Sequence, residues 1–147
     1  MLIKEAQHND LPQLLTLYTH LHNNKMPEIS AELTDLWRGI IDDKNHHILV
    51  GVADGTIVSS CVVVIIPNLT HNQQPYALVE NVITHPEHRG KGYATQLLDR
   101  AKTVAMENNC YKIMLMTSAK EPATLVFYER AGYNREDKTS FVQWLDV

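Results

Sequence analysis

The sequence predicts an α/β chain in which a mixed β-sheet carries helices on its faces. Three observations predict it. Two runs rich in β-branched residues, "HHILVGVA" and "TIVSSCVVVII", flank Asp54-Gly55, a two-residue turn that closes an antiparallel hairpin. A third strand-like run, "YALVENVIT", leads through a short basic segment into apolar residues at Ala94, Leu97, Leu98, Ala101, Val104 and Ala105, the stripe of a helix. A fourth run, "YKIMLMT", follows that helix, and a strand–helix–strand succession lets two strands lie parallel.

The remaining elements fall in order around these. "LIKEA" reads as a short first strand. Leu11, Leu14, Leu15, Tyr18 and Leu21 then recur at helical spacing, with Asn9 and Asp10 as candidate caps and Pro12 in the first turn. A second helix starts near Ser30 and places Leu33, Leu36, Trp37, Ile40 and Ile41 on one face. "PNLTHNQQP" is a polar loop. Pro122 opens a last helix that Gly132 ends, and "SFVQWLDV" closes as a strand. The expected order is β-α-α-β-β-β-α-β-α-β.

A length of 147 residues is most simply one domain, 1–147, and 44% hydrophobic with 20% charged residues is an ordinary globular composition. A net charge of −4 argues against broad nucleic-acid binding. The longest apolar run, Cys61 to Pro67, is too short to cross a bilayer. Cys61 and Cys110 offer neither a disulfide framework nor zinc spacing, and the first residues lack a signal-peptide pattern. The expectation is a cytoplasmic protein with no membrane or nucleic-acid partner.

The segment "HPEHRGKGYA", His85 to Ala94, is the chemically informative one. It is not a dinucleotide fingerprint: Thr95 stands where the third glycine belongs, and "HPEHR" makes the strand-to-helix link too long. No Walker A pattern is present. Gly90 and Gly92 before a helix let a ligand approach the backbone, the free N–H groups there favour an anion, and Arg89 and Lys91 add positive charge. A pyrophosphate suits such a nest.

Arg89-Gly90-Lys91-Gly92-Tyr93-Ala94 resembles the R/Q-x-x-G-x-G/A signature of the GNAT superfamily of acyl-CoA N-acyltransferases. "FYERAGY", Phe127 to Tyr133, resembles that family's F-Y-E-x-x-G-F hallmark. The likeness covers Gly51 to Tyr133 well and the N-terminal helices in outline. It implies a central mixed sheet with two splayed parallel strands, here Tyr76–Thr84 and Tyr111–Thr117, that hold acetyl-CoA between them. It further implies pyrophosphate on the backbone from Arg89 and Gly90 through Lys91, Gly92, Tyr93 and Ala94 to Thr95. The pantetheine arm would run along Val82, Ile83 and Thr84, with the Val82 N–H as oxyanion donor.

By the same likeness Tyr128 would protonate the leaving thiolate, a reasonable transfer from a phenol of pKa about 10 to a thiolate of about 8.5. A core aromatic is the competing reading. Glu80 is the first candidate for the base. It lies mid-strand, with Tyr76, Leu78 and Val82 on one alternating face and Ala77, Val79 and Ile83 on the other. A carboxylate there is costly unless paired or facing a cleft, so a structural ion pair is the alternative. Asn81 is expected on the face opposite Glu80. His85 is a distant second choice. The eight histidines show no metal-ligand geometry, and Cys110 reads as a small hydrophobe rather than an acyl carrier. Direct transfer in a ternary complex, without a metal, is the expected chemistry.

The match is incomplete in "KEPATLVFY", where some similar proteins carry an asparagine before the tyrosine. Lys120 or Arg130 could contact the 3′-phosphate or be solvated charges. A finer likeness is to the glucosamine-phosphate N-acetyltransferase branch. The acceptor region of similar proteins corresponds to Thr19 to Ile48, which holds Lys25, Arg38 and Lys44 and leaves the small-molecule amine unidentified. A non-catalytic acyl-CoA-binding module is the competing class. Dimers are common among similar proteins, and Ser140–Val147 is the candidate pairing strand.

Overall fold

The computed structural model describes residues 1–22 and 24–145. The chain divides into two compact units, Met1–Leu115 and Met116–Val147. The first is built on a five-stranded sheet in the order β1 (Leu2–Glu5), β2 (His46–Ala53), β3 (Thr56–Ile66), β4 (Tyr76–Thr84) and β5 (Ile113–Leu115). The first four strands are antiparallel neighbours, and β5 runs parallel to β4. The hairpin turn falls where its residues demand it: Asp54 and Gly55 both take positive φ, 50° and 77°. That pair of left-handed residues matches the twist of the flanking strands.

Alternation along the strands feeds two cores. On one face Ile48, Val50, Val62 and Ile83 pack with Leu11, Leu14 and Leu17 of α1 (Leu11–Tyr18) and Trp37 of α2 (Ala31–Asp42). The other face meets α3 (Tyr93–Glu107), where Leu97, Leu98, Ala101, Val104 and Ala105 are buried and the Cys61 thiol approaches the Leu97 carbonyl. Burying each leucine, isoleucine or valine side chain here is worth about 1.5–3 kcal/mol. Ser30 caps α2 by accepting from the Leu33 N–H, and the Trp37 indole donates to the His8 carbonyl at 2.9 Å, holding α2 to the chain before α1.

The structure corrects several expectations. Asn9 and Asp10 do not cap α1 with a side chain; Asp10 accepts from the Gln7 N–H and Lys4, closing the short 3-10 turn His8–Asp10. The first helix ends at Tyr18, leaving Leu21 in the following turn but still packed on the core. Leu36 is exposed, because a full turn of α2 can present only one narrow stripe and Trp37 occupies it. The strand expected at Tyr111–Thr117 is only Ile113–Leu115, and it is half-buried. No strand forms over residues 138–145, where Phe141 and Trp144 are exposed; Asp146 and Val147 lie outside the described residues. Strand propensity reflects fit to a half-buried pleated surface, and this segment has no paired neighbour to provide one.

The second unit contains α4 (Pro122–Arg130). Its end is a full Schellman motif: the Gly132 N–H donates to the Glu129 carbonyl, and the Tyr133 N–H donates to the Tyr128 carbonyl. Gly132 has φ 91°, so the glycine of "FYERAGY" serves a left-handed helix end.

Candidate active site

Strand β4 is interrupted where it matters most. Val62 faces Glu80 across the ladder, but Ser60 faces Ile83, so Asn81 and Val82 together oppose Cys61. This is a β-bulge, and Asn81 sits in it with φ 51°. Asparagine is one of the few residues that tolerates that left-handed conformation. The extra residue reverses the alternation beyond it. Ile83, expected opposite Glu80, instead joins the α1–α2 core on the glutamate's own face. The expected faces of Val82 and Ile83 are therefore reversed, because period-two alternation cannot register an inserted residue.

Glu80 is half-buried, and no cation or hydrogen-bond donor meets its carboxylate among the described residues. The structural ion pair that would make it a mere core acid is absent there. Beside it, β5 pairs with β4 only over Ala77–Val79, so β4 from Glu80 to Thr84 has no β5 neighbour in the ladder. Val82 and Thr84 are half-buried; Ile83 is buried, so only its backbone borders the outer edge of the strand.

After Thr84 the chain makes the 3-10 turn Pro86–His88, and the Arg89 side chain folds back so that Nε donates to the Thr84 carbonyl at 3.2 Å. Gly90 and Gly92 then take φ 73° and 74°. A side chain at either would meet open space, so backbone conformation rather than crowding calls for glycine. Gly92 is the N-cap of α3, and the first helical bond runs from Gln96 N–H to its carbonyl. The N–H groups of Tyr93, Ala94 and Thr95 thus precede the ladder. Gly90, Lys91 and Gly92 are exposed. This is a concave row of donors with Arg89 and Lys91 beside it, an arrangement suited to an anion.

In the second unit Tyr128 lies on α4, its ring 4.9 Å from Phe127 and 6.4 Å from Tyr133 between centroids. Both Phe127 and Tyr128 are half-buried.

The histidines group without forming a ligand set. His20 and His85 meet edge to face at 4.6 Å, and His88 lies 5.7 Å from His85. His85 Nδ1 accepts from the Glu87 N–H at 3.3 Å and caps the turn. Among the described residues no cluster of histidine, cysteine and carboxylate could hold a metal ion. Burial pushes the Cys61 thiol up to about 12 and raises that of Cys110 as well. Neither is activated as a nucleophile. Arg38, in the expected acceptor region, is paired with Asp35 at 2.8 Å.

Three features here escaped sequence reasoning: the bulge at Asn81, the buried pair Ser59 and Ser60, and the Tyr18 phenol beside them. A polar asparagine inside a strand and "SSC" inside an apolar one were the available signals.

A bulged strand that outruns its β5 partner leads into a left-handed glycine pair and a helix start, which leaves backbone donors open to an anion. The acetyltransferase (GNAT) family model matches residues 2–133, and the chain belongs to that family. It is an acetyltransferase by that membership. The match reaches across the N-terminal helices as well as both motifs. A glucosamine 6-phosphate N-acetyltransferase of Trypanosoma brucei brucei is 28% identical over 142 residues, covering 92% of this chain and 90% of that one. A solved protein from Agrobacterium tumefaciens str. C58 superposes with a TM-score of 0.89 at 32% identity, covering 98% of this chain and 100% of that one. A solved transcriptional regulator from Bacillus halodurans C-125 superposes with a TM-score of 0.86 at 28% identity, covering 97% and 99% of the two chains.

Proposed function

We propose that this protein moves an acetyl group from acetyl-CoA to the primary amine of a small molecule, by direct transfer within a ternary complex. The observation that carries the reading is the glycine pair. Gly90 and Gly92, both left-handed, lay open the donors from Lys91 to Thr95 at the start of α3. In this reading the coenzyme's pyrophosphate binds there, drawn by Arg89 and Lys91. The pantetheine arm follows Val82, Ile83 and Thr84, and the Val82 N–H receives the developing oxyanion.

An alkylammonium acceptor has a pKa of about 10.4 and must lose a proton before it can attack. Glu80 takes that proton, directly or through water; its unpaired carboxylate supports the assignment. Attack on the thioester carbonyl forms the C–N bond, and the C–S bond breaks to release coenzyme A thiolate. Tyr128 supplies the proton to that sulfur. The raised thiol pKa values of Cys61 and Cys110 support transfer without an acyl-cysteine intermediate.

An amino-sugar phosphate is the finer acceptor reading, and the Trypanosoma relative favours it. Lys25 and Lys44 are the cations in the acceptor region that carry no ion pair among the described residues. A non-catalytic acyl-CoA-binding module is the competing class, favoured by the likeness to a transcriptional regulator. We further read residues 1–147 as one domain that works in the cytoplasm, and as a homodimer through the exposed Phe141, Val142, Trp144 and Leu145.

Incubation with acetyl-CoA and a panel of amines, glucosamine 6-phosphate included, tests the proposal by release of free thiol. Amine-dependent release is expected. Acetyl-CoA binding with no release on any amine supports the module instead.

A further inference from the structure

Ser59 and Ser60 are the fully buried polar residues of the described chain, each with 0% exposure, and both lie in β3 amid apolar neighbours. A buried hydroxyl in a central strand is unfavourable unless it is used. Their place in the register says what uses them. Ser59 pairs with Thr84 and Ser60 with Ile83, the two β4 residues that follow the bulge. The Ser59 hydroxyl donates to the Ile83 carbonyl at 2.9 Å and lies 2.8 Å from the Thr84 hydroxyl. That bond fixes backbone one residue beyond Val82, from the α3 side of the sheet.

Ser60 points to the other side, where Tyr18 of α1 descends onto it. Burial holds the Tyr18 phenol above its usual pKa, and the Ser60 hydroxyl pulls it the other way. Neither the Tyr18 nor the Ser60 hydroxyl has a hydrogen-bond partner among the described residues. A left-handed asparagine in a strand persists only where its surroundings over-determine it. Here the Ser59 hydroxyl holds the strand just past Asn81 from the α3 side.

We propose that Ser59 is a positioning residue for acetyl transfer: its hydroxyl braces the β4 bulge and so sets Glu80 and the Val82 N–H relative to the reacting carbonyl. This rests on the acetyltransfer reading above. Small size alone does not account for Ser59, since alanine would fill the same space; the hydroxyl bond to Ile83 is the specific contribution. The brace acts on the transfer step and leaves the phosphate nest at Gly90–Thr95 alone.

The test uses Ser59→Ala, Ser59→Thr and Val63→Ala in the full chain. Val63 is fully buried on the same strand but pairs with Val79, away from the bulge. Losing the Ser59 hydroxyl is expected to lower kcat about tenfold or more, with KM for acetyl-CoA within about twofold, as for an interaction used in the transition state. Ser59→Thr should recover most of kcat, and Val63→Ala should keep it when assayed well below its melting temperature. Amide hydrogen exchange over residues 79–84 of the free protein is a second readout that needs no substrate. It should speed about tenfold in Ser59→Ala and stay unchanged in Val63→Ala. Unchanged exchange in Ser59→Ala overturns the brace, as does an equal loss of kcat in Ser59→Ala and Val63→Ala. If wild-type protein releases no thiol with any amine, the acetyltransfer reading fails separately, and the exchange comparison still decides whether Ser59 holds the bulge.

Discussion

Glu80 stands opposite Val62 in the β3–β4 ladder, so the acid's partner across the sheet is an apolar side chain and not a cation. One residue later the strand bulges at Asn81. The carboxylate is thus held on the α1–α2 face, half-buried and uncommitted to any protein group among the described residues. A base for an ammonium acceptor needs that freedom.

Glu80→Gln is expected to reduce turnover roughly 100-fold or more, the usual scale for general-base catalysis. The sign of its pH dependence follows from the acceptor. Free amine becomes scarcer as pH falls, so the deficit against wild type should widen toward low pH and narrow toward high pH. A loss of the same size at every pH contradicts proton abstraction and assigns Glu80 to positioning.

Tyr128→Phe keeps the ring and removes the proton. Turnover should fall about tenfold or more while KM for acetyl-CoA holds, because the phenol contributes when the thiolate leaves. Equal turnover in the variant removes Tyr128 as the acid.

Gly132→Ala tests the helix end independently of chemistry. A left-handed residue with a Cβ costs about 1–2 kcal/mol, and Gly132 has φ 91° with two Schellman bonds around it. Thermal unfolding should move down by a few degrees, roughly 2–8 °C. An unchanged transition contradicts the motif.

The cysteines give a prediction against a covalent intermediate. Burial lifts the Cys61 thiol to about 12, so it stays protonated across the working range and should resist alkylation in the native protein at about pH 8. Alkylation should reach Cys61 only on unfolding. Mass spectrometry of protein incubated with acetyl-CoA should show no acetylated cysteine; a stable or rapidly turned-over acetyl-Cys110 contradicts direct transfer.

Much of the fold was legible because single residue types dictated local geometry. Asp54-Gly55 set the hairpin, the spacing from Leu97 to Ala105 set α3, and Gly90 and Gly92 stand just before that helix's start as expected. The bulge was not legible. Alternation assumes that each residue takes one step of the ladder, and Asn81 breaks that count, moving Ile83 to the face of Glu80. The closing strand was misjudged for another reason. "SFVQWL" has the composition of a strand, but strand formation needs a neighbour that sequence pattern does not supply, and Phe141 and Trp144 stand exposed. In the site, motifs singled out the glycine turn before α3, whereas the Ser59–Ile83 bond depends on cross-strand register that composition cannot reveal.

The central claim is that the backbone between Gly90 and Thr95 holds the pyrophosphate of acetyl-CoA. Calorimetric titration of acetyl-CoA into wild-type protein and Gly92→Glu tests it most directly. A glutamate there brings a negative charge to the nest and forces a Cβ onto a residue with φ 74°. Circular dichroism would verify that the variant keeps its fold. The account predicts micromolar-range binding to wild type, about 1 μM to 1 mM, and at least about a 100-fold loss in the folded variant. Equal affinity for the two proteins contradicts it.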